Sequence, residues 1–246
     1  MPNVIVTGVR RTPLADLDQL AEYGVATVHE AMGRTGLVGT SVHPIQDGAR
    51  VAGSAVTVLC WPGDNLMIHA AVEQCRPGDL LVVTTVSPSL DGSFGELFAT
   101  ALQQRGVRGL VTTGGVRDVV DLRAMGFPAW AGAQNAQGTV KATPGSVNVP
   151  IVVGGVVIRP GDAVVADDDG VLCVAREDVT TALAASASRV AKEADSRSAY
   201  QNGELSLDRN KLRGVLSDLG VSYVAATGED AEPDSAPADP TSTGEA

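Results

Sequence analysis

Twice between residues 80 and 125 the chain repeats one order: an almost wholly apolar run, a loop containing glycine, and a stretch with helical spacing. Leu80–Val86 (LLVVTTV), a polar loop over 87–94 and Gly95–Arg105 (GELFATALQQR) form the first unit. Gly109–Thr113, a turn at Gly114-Gly115 and Asp118–Met125 (DVVDLRAM) form the second. A strand that is apolar at both parities has to be covered on both faces, which suits a parallel strand inside an α/β layer. Two such units in succession predict a parallel βαβα arrangement. Both loops then lie at the carboxyl ends of neighbouring strands, where open α/β sheets form their ligand crevice.

The flanks fit that centre. Leu14–Arg34 reads as a helix interrupted at Gly24, Ala49–Cys60 as a strand of small residues, and Asn65–Gln74 as a short helix after a Pro-Gly-Asp turn. Beyond Pro128 short Val-rich strands follow, with a hairpin across Asp167–Gly170. A long Ala/Arg/Glu helix covers Asp178–Asn202, and LDRNKLRGVLSDLG is a second amphipathic stretch. From Ala225 onward Pro, Asp, Thr and Ala dominate, and residues 225–246 are expected to be a disordered acidic tail. Aromatic residues are 3% of the 246 against 44% hydrophobic, so the core has to be built of Val, Ala, Leu and Ile.

Of the net charge of −11, six units come from acids after Thr227, leaving about −5 on the body. A mildly acidic body argues against nucleic-acid binding. Cys60, Cys75 and Cys173 form no CxxC and read as buried small hydrophobes of a reducing compartment. With no signal-peptide pattern and no apolar run of membrane length, a cytoplasmic protein without a membrane partner is expected. P-loop, GxGxxG, GxSxG and HExxH motifs are absent, and His29, His43 and His69 lack metal-ligand spacing. Asp167-Asp168-Asp169-Gly170 starts like a calcium loop but has no closing Glu, and reads as a turn.

What remains is Gly114-Gly115-Val116-Arg117-Asp118 at the end of an apolar strand. A guanidinium there can hold an oxyanion or carboxylate through a fork of donors. The neighbouring carboxylate can bind a hard cation such as Mg²⁺. The alternative is that Asp118 caps its helix and Arg117 pairs with a surface acid. Ser93-Phe94-Gly95-Glu96-Leu97 opens the preceding helix, whose free N–H groups can hold a small carboxylate. Glu96 would relay a proton through water, or serve only as a first-turn acid favoured by the helix dipole. The residues thus outline a crevice for a small oxoacid and one divalent metal, with the reaction left open.

Phe94-Gly95-Glu96-Leu97-Phe98-Ala99-Thr100, Arg105–Val111, Gly115-Val116-Arg117-Asp118 and Met125–Trp130 resemble the signature of class II pyruvate aldolases of the RraA-like superfamily. The 4-carboxy-4-hydroxy-2-oxoadipate / 4-hydroxy-4-methyl-2-oxoglutarate aldolases are the best match, and the likeness runs over about residues 20–224. It implies an α/β/β/α sandwich of the swivelling β/β/α type over residues 1–224, with 178–224 a helical extension contacting a neighbouring subunit in a trimer or hexamer. The activity implied is Mg²⁺- or Mn²⁺-dependent cleavage of a 4-hydroxy-2-oxo acid to pyruvate and a second oxoacid, in aromatic-acid degradation, with oxaloacetate decarboxylation on the side.

By the same resemblance Asp118 anchors the metal and Arg117 contacts the substrate oxygens. The amides from Gly95 through Leu97 to Phe98 hold the pyruvate carboxylate, Glu96 handles the proton-carrying water, and Glu193 of a neighbouring subunit completes the metal's outer shell. No lysine is required as a Schiff base, and Lys141 is not a nucleophile. Two positions depart from the pattern: Thr113 stands where relatives usually have Asp, and Glu96 where the nearest aldolases often have Asp. A non-catalytic RraA-like regulator that binds a ribonuclease or helicase is the alternative.

Overall fold

The computed structural model describes residues 3–227. The chain begins with helix α1 (Leu14–Ala31), short strands β1 (Leu37–Val38) and β2 (His43–Pro44), and the long strand β3 (Val51–Cys60). Helix α2 (Leu66–Gln74), β4 (Asp79–Thr85), β5 (Gly92–Phe94), α3 (Glu96–Gln104), β6 (Leu110–Val116), α4 (Val119–Ala124) and β7 (Ala129–Gln134) follow. Then come β8 (Ser146–Val147), the hairpin β9 (Ile151–Val153) and β10 (Val156–Ile158), β11 (Ala163–Asp167), β12 (Gly170–Val174), and helices α5 (Val179–Gln201), α6 (Ser206–Arg209) and α7 (Leu212–Asp218).

One mixed sheet carries the fold, in the order β1-β12-β11-β3-β4-β6-β7-β2, with β5 beside β6 and β8 beside β3. Its centre, β3-β4-β6-β7, is parallel, as the repeated apolar-run pattern predicts. Strand β4 explains the pattern. Leu81 and Val83 point under the helices with Ile68, Ala99, Leu102 and Leu122, while Leu80 and Val82 meet Trp130, Ile151, Val153 and Ile158 on the other side. Alternate side chains leave a strand on opposite faces, so a strand covered twice has no polar parity. The helices α1–α4 cover one face and the β9–β10 hairpin the other, giving an α/β protein with C-terminal helices.

Gly114 and Gly115 do not form the expected turn; they lie within β6, which runs on to Val116 with a register shift after Thr112. A Cβ at Gly115 would stand 2.3 Å from the Leu90 carbonyl oxygen. Glycine there admits the 87–92 loop against the strand, and β5 pairs alongside. The chain turns instead at Asp118, which has a left-handed backbone (φ 54°), tolerable for Asp and costly for most side chains.

The Asp167–Gly170 hairpin is present, and so is the break in α1 at Gly24. All three cysteines are buried, and burial pushes the thiols of Cys60 and Cys75 up to about 12. Two compact units divide at Glu193/Ala194, within α5. In the second, Arg209 pairs with Asp195 and Glu204, and Arg213 with Asp208, on otherwise exposed helices. Most of the expected acidic tail lies outside the described residues. Among the described residues no helix is long and apolar enough to cross a membrane.

Candidate functional site

At the carboxyl ends of the parallel strands lies a cavity of about 300 Å³. The loop and helix after β4 supply Gly92, Ser93, Gly95, Leu97 and Phe98 to its wall, and the end of β6 supplies Arg117 and Asp118. The two loops predicted to share a crevice therefore do share one. All three phenylalanines of the chain stack beneath it: Phe94 lies 5.5 Å from Phe98 and 5.8 Å from Phe127 between ring centres. This aromatic column seats the first turn of α3 against the core.

Asp118 occupies the N-cap position of α4 but makes no side-chain cap bond. Its Oδ2 reaches across to the other loop and accepts the Glu96 N–H at 3.2 Å. This carboxylate therefore does not cap its own helix and instead takes the first N–H of α3. The acid that Arg117 pairs with is Asp118 itself. Its Nε lies 3.6 Å from Asp118 Oδ2, outside hydrogen-bond distance, and its side chain is half exposed at the cavity. The guanidinium donors stay available to a ligand, next to a carboxylate tied to the facing helix.

Gly95 makes that meeting possible. Its backbone is extended (φ −159°), so the need for glycine is not conformational. A Cβ here would lie 2.3 Å from Asp118 Oδ2 and 3.0 Å from Arg117 Cγ. Because the Glu96 amide is engaged by Asp118, it drops out of the Gly95–Phe98 amides expected to hold an anion, and those of Leu97 and Phe98 remain in the first turn. Glu96 itself does not line the main cavity. It faces an adjoining depression with Thr100, Asp118 and Asp121, and its Oε1 accepts the Thr100 hydroxyl at 2.7 Å. Asp118 borders both spaces.

The lining also holds residues for which the sequence offered no role: Asn65 at the N-cap of α2 and His69 within that helix, with Thr139 and Lys141 from the irregular segment between β7 and β8. Burial, and then the charge of Lys141, hold the His69 imidazole below its usual pKa, so it is neutral at pH 7. Its ring lies 4.5 Å from Phe98. Lys141 has no ion pair among the described residues. The lining thus carries two cations, Arg117 and Lys141, together with the carboxylate of Asp118. These residues meet through a parallel bridge between Asp64 and Val140, a contact no local spacing announces.

The family model of the RraA-like proteins (Aldolase/RraA) matches residues 25–173, a span that includes β3 to β11, most of β12 and every lining residue named above. The chain belongs to the RraA-like family. A Halalkalibacterium halodurans protein named "Putative 4-hydroxy-4-methyl-2-oxoglutarate aldolase" is 34% identical over 142 residues, 58% of this chain and 67% of that one. Among solved structures, Streptomyces coelicolor RraAS2, described as an unusual member of the RNase ES inhibitor RraA family, superposes with TM-score 0.69 at 26% identity, over 77% of this chain and 98% of its own. The RNA-processing inhibitor RraA from Thermus thermophilis gives 0.55 at 27% identity, over 61% and 90%. This RraA-like fold therefore has both an aldolase-named and inhibitor-named relatives.

Two further positions named from the sequence stand apart from the cavity in this RraA-like chain. Glu193 on α5 is held by Arg189 Nε at 2.7 Å, and Arg189 also lies 3.5 Å from Glu30. Thr113, one of the two departures, meets the Thr84 hydroxyl on the adjacent strand at 3.1 Å.

Proposed function

We propose that this protein is a divalent-metal-dependent aldolase that cleaves 4-hydroxy-2-oxo acids bearing a second carboxylate, of the 4-hydroxy-4-methyl-2-oxoglutarate or 4-carboxy-4-hydroxy-2-oxoadipate type, to pyruvate and a second oxoacid. The observation that carries the reading is the Arg117–Asp118 pair set against the open first turn of α3. The relative named as an aldolase supports it.

The donor set fits a hydrated hard cation. Among the described residues no group of three or more His, Cys, Asp or Glu could enclose a metal, so a closed protein cage is not the design. Mg²⁺ or Mn²⁺ asks for less, one or two carboxylates with water filling the rest, and Asp118 is that carboxylate. When bound, the ion supplies Lewis-acid stabilisation of charge developing on the 2-oxo oxygen.

The chain's own groups do the remainder. The Leu97 and Phe98 amides hold the pyruvate-side carboxylate. Arg117 donates to the 2-oxo oxygen and steadies the enolate left when the C3–C4 bond breaks. Lys141, with neutral His69 beside it, receives the carboxylate on the departing half. The 4-hydroxyl proton leaves as C4 becomes a carbonyl, and a proton returns to C3 to give pyruvate. Glu96, set beyond Asp118, serves this exchange through water rather than by touching substrate. Oxaloacetate shares the pyruvate half and is expected to be decarboxylated at the same place. Assembly as a trimer or hexamer, with Glu193 approaching a neighbour's metal shell, belongs to the same proposal.

Pyruvate release from 4-carboxy-4-hydroxy-2-oxoadipate, coupled to lactate dehydrogenase with Mg²⁺ or EDTA, tests it. Metal-dependent release that falls at least about 1,000-fold in Asp118→Ala is expected, several kcal/mol of transition-state stabilisation being at stake. No release from this acid, from 4-hydroxy-4-methyl-2-oxoglutarate or from oxaloacetate would favour the second reading. That reading is a non-catalytic regulator of a ribonuclease or helicase, which the inhibitor-named structural relatives support.

A further inference from the structure

We infer that Asp64, which does not line the cavity, is the positioning residue that sets the reach of Lys141 and so the preference for substrates with a second carboxylate. The inference rests on the oxoacid reading above. Asp64 is 3% exposed and lies in the turn before α2. Its Oδ2 accepts the N–H groups of Ala142 and Thr143, each at 2.7 Å, and its Oδ1 accepts the Leu66 N–H at 2.8 Å. On the other side of Lys141, the Val140 N–H donates to the Gly63 carbonyl at 2.9 Å, and the Val140 carbonyl accepts the Asn65 N–H at 3.0 Å. The backbone of Lys141 is therefore held on both sides by the three residues Gly63, Asp64 and Asn65.

Nothing local would hold it otherwise. Residues 135–145 carry no helix or named strand, and a lysine on an unpinned backbone can spread its ammonium over many positions. The same carboxylate also fixes the first turn of α2, the helix that brings Asn65 and His69 to the cavity. Three N–H donors converging on one side chain require a group that only accepts. An Asn here would turn an NH₂ toward an N–H, so Asp fits where its amide does not. Burial alone would raise the Asp64 carboxyl, but the backbone donors outweigh it and hold the group ionised below the usual carboxylate range.

The test separates positioning from folding. Calorimetric titration of the full-length protein with Mg²⁺ compares 2-oxoglutarate, which has a second carboxylate, with pyruvate, which lacks one. In Asp64→Ser the hydroxyl keeps a short bond to the Leu66 N–H and cannot span to Ala142 and Thr143. Asp64→Ser and Lys141→Met should each lower the ratio of 2-oxoglutarate to pyruvate affinity about ten-fold, the scale of one charge-assisted bond, and the double variant no further than Lys141→Met alone. Equal loss for both ligands, or losses that add in the double variant, would make Asp64 merely structural and overturn the inference. Asp64→Asn repeats the measurement if the serine variant does not fold. A wild-type protein that binds pyruvate but takes 2-oxoglutarate no more tightly overturns the role of Lys141 and leaves the aldolase reading standing. Binding of neither ligand removes both.

Discussion

Only a hydrogen atom fits where Gly95 faces Asp118. Several glycines of this chain serve turns, yet this one serves proximity: the facing loops meet because position 95 has no side chain. Gly95→Ala should push Asp118 and Arg117 away from the first turn of α3 and lower pyruvate release by about 100-fold, as displacements near 1 Å do in positioned sites. The unfolding midpoint should move little, since both partners are half exposed. Steady-state kinetics beside a thermal melt would check this; unchanged turnover would mean that the cleft tolerates a wider gap. The sequence named Gly95, Arg117 and Asp118 correctly as neighbours of one crevice, because each ends or begins an element whose polarity was readable. It could not decide between capping and ligation for Asp118. Only the folded chain shows that this carboxylate is tied to the N–H of Glu96, 22 positions away.

Among the elements, α1 shows how a break in a helix is made good from a distance. Gly24 departs from helical geometry (φ 76°), and the first N–H of the second segment, that of Val25, donates to Asp167 Oδ2 at 2.8 Å. Oδ1 of the same carboxylate accepts the Asp169 N–H, and the Asp167 carbonyl accepts the indole N–H of buried Trp130. Asp167, which opens the acidic run that begins like a calcium loop, is thus committed to backbone groups. Asp167→Ala would strand a buried Val25 N–H and should cost about 1–3 kcal/mol, read as a lower urea midpoint with unchanged slope. Gly24 was legible as an interruption, and the hairpin at 167–170 as a turn. Their connection was not, because nothing in either segment refers to the other. Gly114-Gly115 misled for a related reason: paired glycines mark either a turn or a close approach, and only the 87–92 loop lying against β6 distinguishes them.

For the whole molecule, the family match ends at residue 173, and six acids follow Thr227. A chain ending at Thr227 should keep its oligomeric state and its pyruvate release within about two-fold, since so polar a segment has little apolar surface to contribute to a fold or interface; light scattering and the coupled assay would show a loss if the segment matters. The parallel centre of the sheet, its Val- and Leu-built core and the position of the crevice followed from periodicity, because a strand buried on both faces writes that burial into consecutive residues. The remaining lining residues did not. Asn65 and His69 belong to a helix that the sequence showed without a role, Lys141 sits in a segment without distinctive patterning, and the two segments are joined by contacts of Asp64 to the 140–143 loop about 78 residues onward. Side-chain periodicity reports what an element does to its own surroundings, within a few residues. Which distant loops share a cavity is settled by strand order and by single buried hydrogen bonds, and these exist only once the chain has folded.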